Sequence, residues 1–379
     1  MIARPLRLPL RLARMHVPGP LRPWLALAGL AGIDATFLHQ TGITLTADPV
    51  LGPLLLTLAR ALGLVAFVYG VTGRSLALSA CADLPLRFLV LTILGILWSA
   101  LVVQAWQRPG IDPLLRAGDQ FIGFDYPAWY AWVWARPWLG TVLSLAYVST
   151  GPQFIFLLVW LPLRRPARGE ALFWALLLAM AVIVPISGWW PAHSAWVEYG
   201  LAAHVPPEAL HWYRLWEQLH AGTVTVLDWA AVDGLITFPS FHTVHGIVCT
   251  WAVRRTRLAW VFVPLNVVML LSVPIRGGHY LLDVLAGAMV ALGALWGAWR
   301  IVGDAIPSRR PEADGANQSH GGYPAAASPS SPCSSQSARS ISAATSATSR
   351  AHRAANCCAQ CSCQAYAVSI TGSARSPMP

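Results

Sequence analysis

The sequence has no lysine, and charge of either sign is scarce: 11% of its 379 residues are charged, 26 arginines against 16 acidic residues. A soluble domain carries about 25% charged residues. At 56% hydrophobic composition and a mean hydropathy of +0.53, the sequence argues strongly against a water-soluble globular enzyme. Every basic side chain is a guanidinium, so the net charge of +10 persists at any ordinary pH. Such a surplus fits either nucleic acid or a membrane surface. The arginines stand in short clusters between long apolar runs, which argues against nucleic acid and for a multi-spanning membrane protein. Also lacking are a His-Glu-x-x-His zinc motif, a glycine-rich nucleotide loop and an evident metal cage, so neither metal nor cofactor is expected.

A bilayer core of about 30 Å asks for about 20 apolar residues per helix. On that ruler eight spans emerge, approximately 24–39, 51–72, 88–106, 141–163, 171–190, 241–253, 258–275 and 280–302. The sixth is short and needs loop-proximal residues or snorkelling arginines to reach across. With the N-terminus (Arg4, Arg7, Arg11, Arg14, Arg22) cytoplasmic, alternation puts 20 arginines inside, five outside (108, 116, 136, 214, 276) and Arg60 within a span. The positive-inside rule favours that orientation. Glu198, Glu208, Glu217, Asp228 and Asp233 then fall in a long outer loop, and Trp106, Trp138, Trp189 and Trp190 crowd the interfaces. The N-terminal arginines and first apolar run resemble a signal peptide, but no small-residue cleavage site closes the run; it reads as a retained first helix. Asp34, His39 and Arg60 in the early spans read as intramembrane polar pairs.

From about Ala305 the composition turns to Ser, Ala, Pro and Gly, which cannot bury enough surface to offset chain entropy; a disordered cytoplasmic tail is expected. It holds five of the seven cysteines, including Cys357, Cys358, Cys361 and Cys363, which read as reduced thiols and not as a metal site. Cys81 and Cys249, at helix ends, imply no disulfide.

Two segments carry chemistry, and the arginine-based topology puts both at the same, outer face. The first is Phe-Pro-Ser-Phe-His-Thr-Val-His (238–245) and the second Arg-Gly-Gly-His-Tyr-Leu-Leu-Asp (276–283). His279 and Asp283 at i and i+4 would meet on one helical face, where the carboxylate accepts the Nδ1 proton and leaves Nε2 as a nucleophile. The bland alternative is a pair that merely satisfies two polar groups near the bilayer, but an ionisable pair at membrane depth is costly and commonly functional. A neutral histidine so held suits attack on phosphorus, and His242 supplies a second imidazole to protonate the leaving oxygen. Pro239 can start a helix and Ser240 cap it. Two helix N-termini, with Gly277 and Gly278 allowing close backbone approach, would cradle an anion without metal. Arg276 and Arg214 could neutralise phosphate oxygens, although Arg214 among Trp212, Tyr213 and Trp216 is equally suited to stacking. His245, i+3 from His242, is expected to pack inside the bundle.

At these residues the sequence resembles the phosphatidic acid phosphatase type 2 superfamily. Its Pro-Ser-x-His signature matches Pro239-Ser240-Phe241-His242, and Ser272, His279 and Asp283 match the third signature by spacing. Val273 stands where that signature has arginine, and the lysine-containing first signature is absent. These departures, with Gly-Phe-Asp-Tyr-Pro-Ala-Trp (123–129) and Ala-Tyr-Val-Ser-Thr-Gly-Pro-Gln (146–153), resemble the branch of inositol phosphorylceramide synthases and bacterial inositolphosphotransferase-like proteins. The similarity spans approximately residues 105 to 300. It implies a metal-independent membrane enzyme with a six-helix core, in which His279 is the nucleophile, Asp283 its orienting partner and His242 the general acid. Arg276 would replace the missing arginine.

The expected architecture is all-α: a polytopic transmembrane bundle of about six to eight spans with a six-helix phosphatase-type core and a disordered tail. Residues 1–104 would form N-terminal spans, 105–303 the catalytic membrane domain and 304–379 the tail. The expected activity is lipid-phosphate hydrolysis or phospho-head-group transfer at the outer face of a cell (inner) membrane, with both termini cytoplasmic. A lipid phosphate and membrane lipids are the expected partners, and Ser240, Gly278, Arg276 and Arg214 the phosphate contacts. The same residues admit two other classes: a proton-coupled small-solute transporter using Asp34, His39 and Arg60 with the two outer histidines as a relay, and an intramembrane serine protease with Ser240 as nucleophile and His279 as base.

Overall fold

The computed structural model describes residues 21–205, 210–229, 232 and 234–303. All lie in the first of the two units into which the chain divides, 1–311; the expected tail, its cysteines, the arginines before Leu21, Glu208 and Asp233 fall outside the described residues.

Among the described residues the chain is mostly helical. Two N-terminal helices, α1 (Arg22–Thr41) and α2 (Leu51–Thr72), precede the long α3 (Leu76–Trp106). Short α4 (Asp112–Phe121) and α5 (Tyr126–Trp134) lead into α6 (Pro137–Val148), α7 (Thr150–Arg164) and α8 (Pro166–Trp189). Then come α9 (Ala195–Glu198), α10 (His211–His220), α11 (Phe241–Ala252), α12 (Ala259–Gly277) and α13 (Leu281–Val302). Among the described residues six stretches are long and apolar enough to cross a membrane: α2, α3, α6 with α7, α8, α12 and α13. Two short strands, β1 (Thr44–Thr46) and β2 (Val226–Asp228), pair in parallel and tie the loop after α1 to the loop before α11.

Side-chain pairs fix the helix directions. Trp24 Nε1 donates to Asp83 and Phe37 meets Trp106 edge-on, so α1 and α3 run the same way. Arg87 pairs with Glu170, and Trp106 meets Trp189 at 5.8 Å, so α8 is parallel to both. The core between α3, α7, α8, α11 and α13 is built from Phe88, Leu157, Phe173, Ile183, Val248 and Ala291 with their neighbours. Turns 164–168 and 253–257 meet at one end, where Arg168 donates to the Ala252 and Arg254 carbonyls at 3.0 and 2.7 Å. The histidine-bearing segments lie at the opposite end of the same helices.

Several boundaries differ from expectation. The third helix starts at Leu76 rather than Phe88, because Arg87, which ends the apolar run in the sequence, is buried and paired with Asp83 and Glu170. The fourth span divides at Ser149 into α6 and α7, where Gly151 and Pro152 follow. The sixth, α11, has 12 residues. Asp34, His39 and Arg60 form no pair: Asp34 is buried with both carboxylate oxygens unpartnered, while His39 and Arg60 are exposed. Facing the bundle core through α1 is what buries Asp34, and the other two lie on outward faces.

Candidate active site

The second imidazole is set by a helix start. Ser240 is the N-cap of α11, its Oγ accepting the Thr243 N–H at 3.4 Å, and its own N–H donates to the Asp283 carbonyl at 3.0 Å. Gly287 permits this approach, since a Cβ there would come within 2.5 Å of the Ser240 carbonyl oxygen. One residue into the helix, His242 stacks on Tyr147 of α6 with centroids 4.4 Å apart, and its Nδ1 lies 3.3 Å from the Tyr147 hydroxyl. Nε2 is thereby the nitrogen left for chemistry.

His279 sits in the three-residue turn between α12 and α13, not on a helix. Gly278, with φ +63°, closes α12 in the left-handed conformation and has no room for a side chain, because a Cβ would lie 2.3 Å from Ser194 Oγ. Asp283 is the third residue of α13 and reaches back as a capping carboxylate: its Oδ2 accepts the Tyr280 N–H at 2.9 Å and faces His279 Nδ1 at 3.2 Å. The expected pair therefore forms, but by capping rather than by i, i+4 stacking, because the helix begins after the histidine. The capping duty and the orienting duty fall on one oxygen. Burial holds the His279 imidazole below its ordinary range, partly opposed by a backbone hydrogen bond with Thr237, so the ring is neutral at pH 7. Gly277 has no room either: a Cβ would be 3.1 Å from His279 Nε2 and 3.0 Å from the Tyr147 hydroxyl.

Beneath the turn lies a layer that sequence reasoning missed. Asp119 of α4 accepts the Leu281 and Leu282 N–H groups, each at 2.9 Å, and so caps α13 from outside. Seven residues earlier, Asp112 accepts the Tyr280 hydroxyl at 2.9 Å, His193 Nδ1 at 2.7 Å and the His193 and Ser194 N–H groups. Burial pushes Asp112 up, but the His193 and Tyr280 bonds outweigh it and leave the carboxyl below its ordinary range. For Asp119 burial prevails over the two N–H groups, and its carboxyl is raised. Ser194 Oγ and the Ala195 N–H both donate to the Gly278 carbonyl, at 2.9 and 2.8 Å. The only signal in the sequence is the Asp-x6-Asp spacing, which puts both carboxylates on one face of α4. The phrases 123–129 and 146–153 acquire roles as well. Asp125 caps α5, the Tyr126 hydroxyl donates to the Pro274 carbonyl at 2.7 Å, and Tyr147 supports His242.

His242, His279, Arg276, Tyr147, Thr237 and His245 line one cavity of about 590 Å³. Arg276, at the end of α12, lies over the Trp134 ring at 5.8 Å and has no carboxylate partner among the described residues. Of the remaining expected contacts, Ser240 and Gly278 shape the two turns, while Arg214 stands on the exposed face of α10 and does not line the cavity. His245 does line it, edge-on to Phe154 at 4.8 Å. Two imidazoles, one neutral and carboxylate-oriented, beside an unpaired guanidinium suit phosphoryl transfer. Among the described residues no cluster of three or more His, Cys, Asp or Glu side chains has metal-ligand spacing.

Residues 114–297 match the family model described as the PAP2 superfamily, a span that contains every residue of the His242–His279–Asp283 constellation. No curated protein matches the chain, and no solved structure does. The match supports membership of that superfamily and a phosphatase-type enzyme acting in a membrane.

Proposed function

We propose, proceeding from the PAP2 superfamily match over residues 114–297, that the protein transfers the phosphoryl or phospho-head group of a membrane lipid through a covalent phosphohistidine. The observation that carries the reading is the pair of imidazoles in one cavity, one oriented through Nδ1 by Asp283, with Arg276 beside them. His279 Nε2 attacks phosphorus, and a P–N bond forms as the P–O bond to the leaving group breaks. His242 donates its Nε2 proton to the departing oxygen, and Asp283 stabilises the positive charge on the substituted ring. In the second half, water or an alcohol gives its proton to His242 as its oxygen displaces His279 from phosphorus. Arg276 holds the phosphate oxygens. Water gives a lipid phosphatase; an alcohol gives a head-group transferase, the activity to which the inositolphosphotransferase-like phrases point. We place this chemistry on the extracytoplasmic side, with both termini inside, from the distribution of arginine.

The test is release of phosphate, or transfer of head group, from defined lipid phosphates by purified protein in detergent. His279→Ala should abolish turnover and Asp283→Asn should lower it at least about 10²-fold. Native rates in either variant would refute the assignment.

A further inference from the structure

The cavity does not end at the imidazoles. One face of α3 continues its wall, from Ser99 through Gly95 and Leu91 to Phe88. These positions recur every third or fourth residue and form one stripe along the helix; at 1.5 Å per residue the stripe runs about 16 Å. Its far end is shut by aromatic rings: Phe88 meets Phe154 edge-on at 4.9 Å and Phe173 at 5.6 Å. Phe154 also touches His245, so this floor is continuous with the histidine end. Two of the wall's hydroxyls are used internally, Ser99 Oγ donating to the Ile96 carbonyl and Thr150 Oγ1 to the Tyr147 carbonyl. Across from α3 stands Met180, and a Cβ at Gly95 would lie 2.6 Å from its Cε, so Gly95 is a point of close approach between the two walls. The cavity thus has a guanidinium and imidazoles at one end and apolar side chains at the other. Its volume of about 590 Å³ is that of a site for a drug-sized organic ligand.

We infer that this stripe seats a single hydrocarbon chain of an amphipathic phosphate, with Gly95 and Phe88 as the residues that set its permitted length. The inference rests on the phosphoryl-transfer reading for the head. The occupant follows from charge complementarity: the unpaired Arg276 guanidinium and the two imidazoles take an anion, and a tail attached to it has the α3 stripe as its apolar continuation. A methylene moved from water into the stripe gains about fourfold in affinity, and the gain stops where Phe88 blocks the path.

Thermal stabilisation of the purified full-length protein by monoalkyl phosphates from hexyl to hexadecyl reads this directly, with the matching alcohols as neutral controls. In the wild type, stabilisation should grow with chain length and then level off, and the alcohols should bind more weakly. Gly95→Leu should bring the plateau to shorter chains and Phe88→Ala should move it to longer ones. Opposite displacements in two variants cannot arise from misfolding. An unchanged plateau in both variants, or no growth with chain length in the wild type, overturns the inference. Because binding is measured and not turnover, failure of the phosphoryl-transfer reading shows separately, as wild-type protein that binds alkyl phosphates and releases no product.

Discussion

Asp283 is asked to do two things with one oxygen: cap α13 through the Tyr280 N–H and orient His279 through Nδ1. The other oxygen, Oδ1, is buried with no partner, which leaves the carboxylate's remaining capacity for charge that appears on His279 during the reaction. The depressed His279 pKa has a direct consequence. Only the neutral ring is a nucleophile, and burial lowers the pH at which it is lost. On the acid side turnover should therefore hold from pH 7 down past the ordinary histidine value of about 6.5 and fall only below it; an acid limb that breaks at 6.5 or above would contradict a buried nucleophile. Two arginines compete for the phosphate. Arg276 lines the cavity and Arg214 does not, so Arg276→Gln should raise KM roughly 10- to 100-fold, the worth of about 1.5–3 kcal/mol for a charged hydrogen bond, while Arg214→Gln has the smaller effect. Steady-state kinetics on a lipid phosphate decide between them.

At the scale of elements, the site depends on where helices begin. Ser240 caps α11 two residues before His242, and Tyr280 caps α13 one residue after His279, so both imidazoles sit at helix N-termini that meet through the Ser240 N–H and the Asp283 carbonyl. Asp119 on α4 secures the second of these. Asp119→Ala strips two part-buried N–H groups of their acceptor and should cost about 1–3 kcal/mol of stability, read by thermal or denaturant unfolding in detergent; an unchanged midpoint would show that the cap contributes nothing. The Pro-Ser-x-His run makes the α11 start legible from sequence, because Ser is a strong N-cap and the histidine follows at a fixed offset. The α13 start is not legible in the same way. His279 and Asp283 look like an i, i+4 helical pair, and only the left-handed Gly278 and the capping reach of Asp283 reveal a turn. Asp112 and Asp119 are illegible for another reason: their partners lie more than 80 residues away, and no local pattern links α4 to the α13 turn.

At the scale of the whole molecule, scarcity of charge is the most informative property of the sequence. It defines most of the long apolar helices, and their arginine-rich turns lie at the end opposite the histidines. Where charge is buried the ruler fails, as at Arg87, whose pairing with Asp83 and Glu170 lets α3 extend beyond the apolar run. The parallel β1–β2 pair, which joins the N-terminal helices to the loop before α11, is too short to leave a period in the sequence. All these features converge on one cavity lined by a carboxylate-oriented histidine and a second imidazole. The most direct measurement is to quench the purified protein at low temperature during turnover of a lipid labelled with ³²P in the transferred group and to map the labelled residue. The expected result is an acid-labile, alkali-stable phosphohistidine at His279, present in wild type and lost in His279→Ala. Label that persists in His279→Ala, or that maps to a serine, would contradict the assignment.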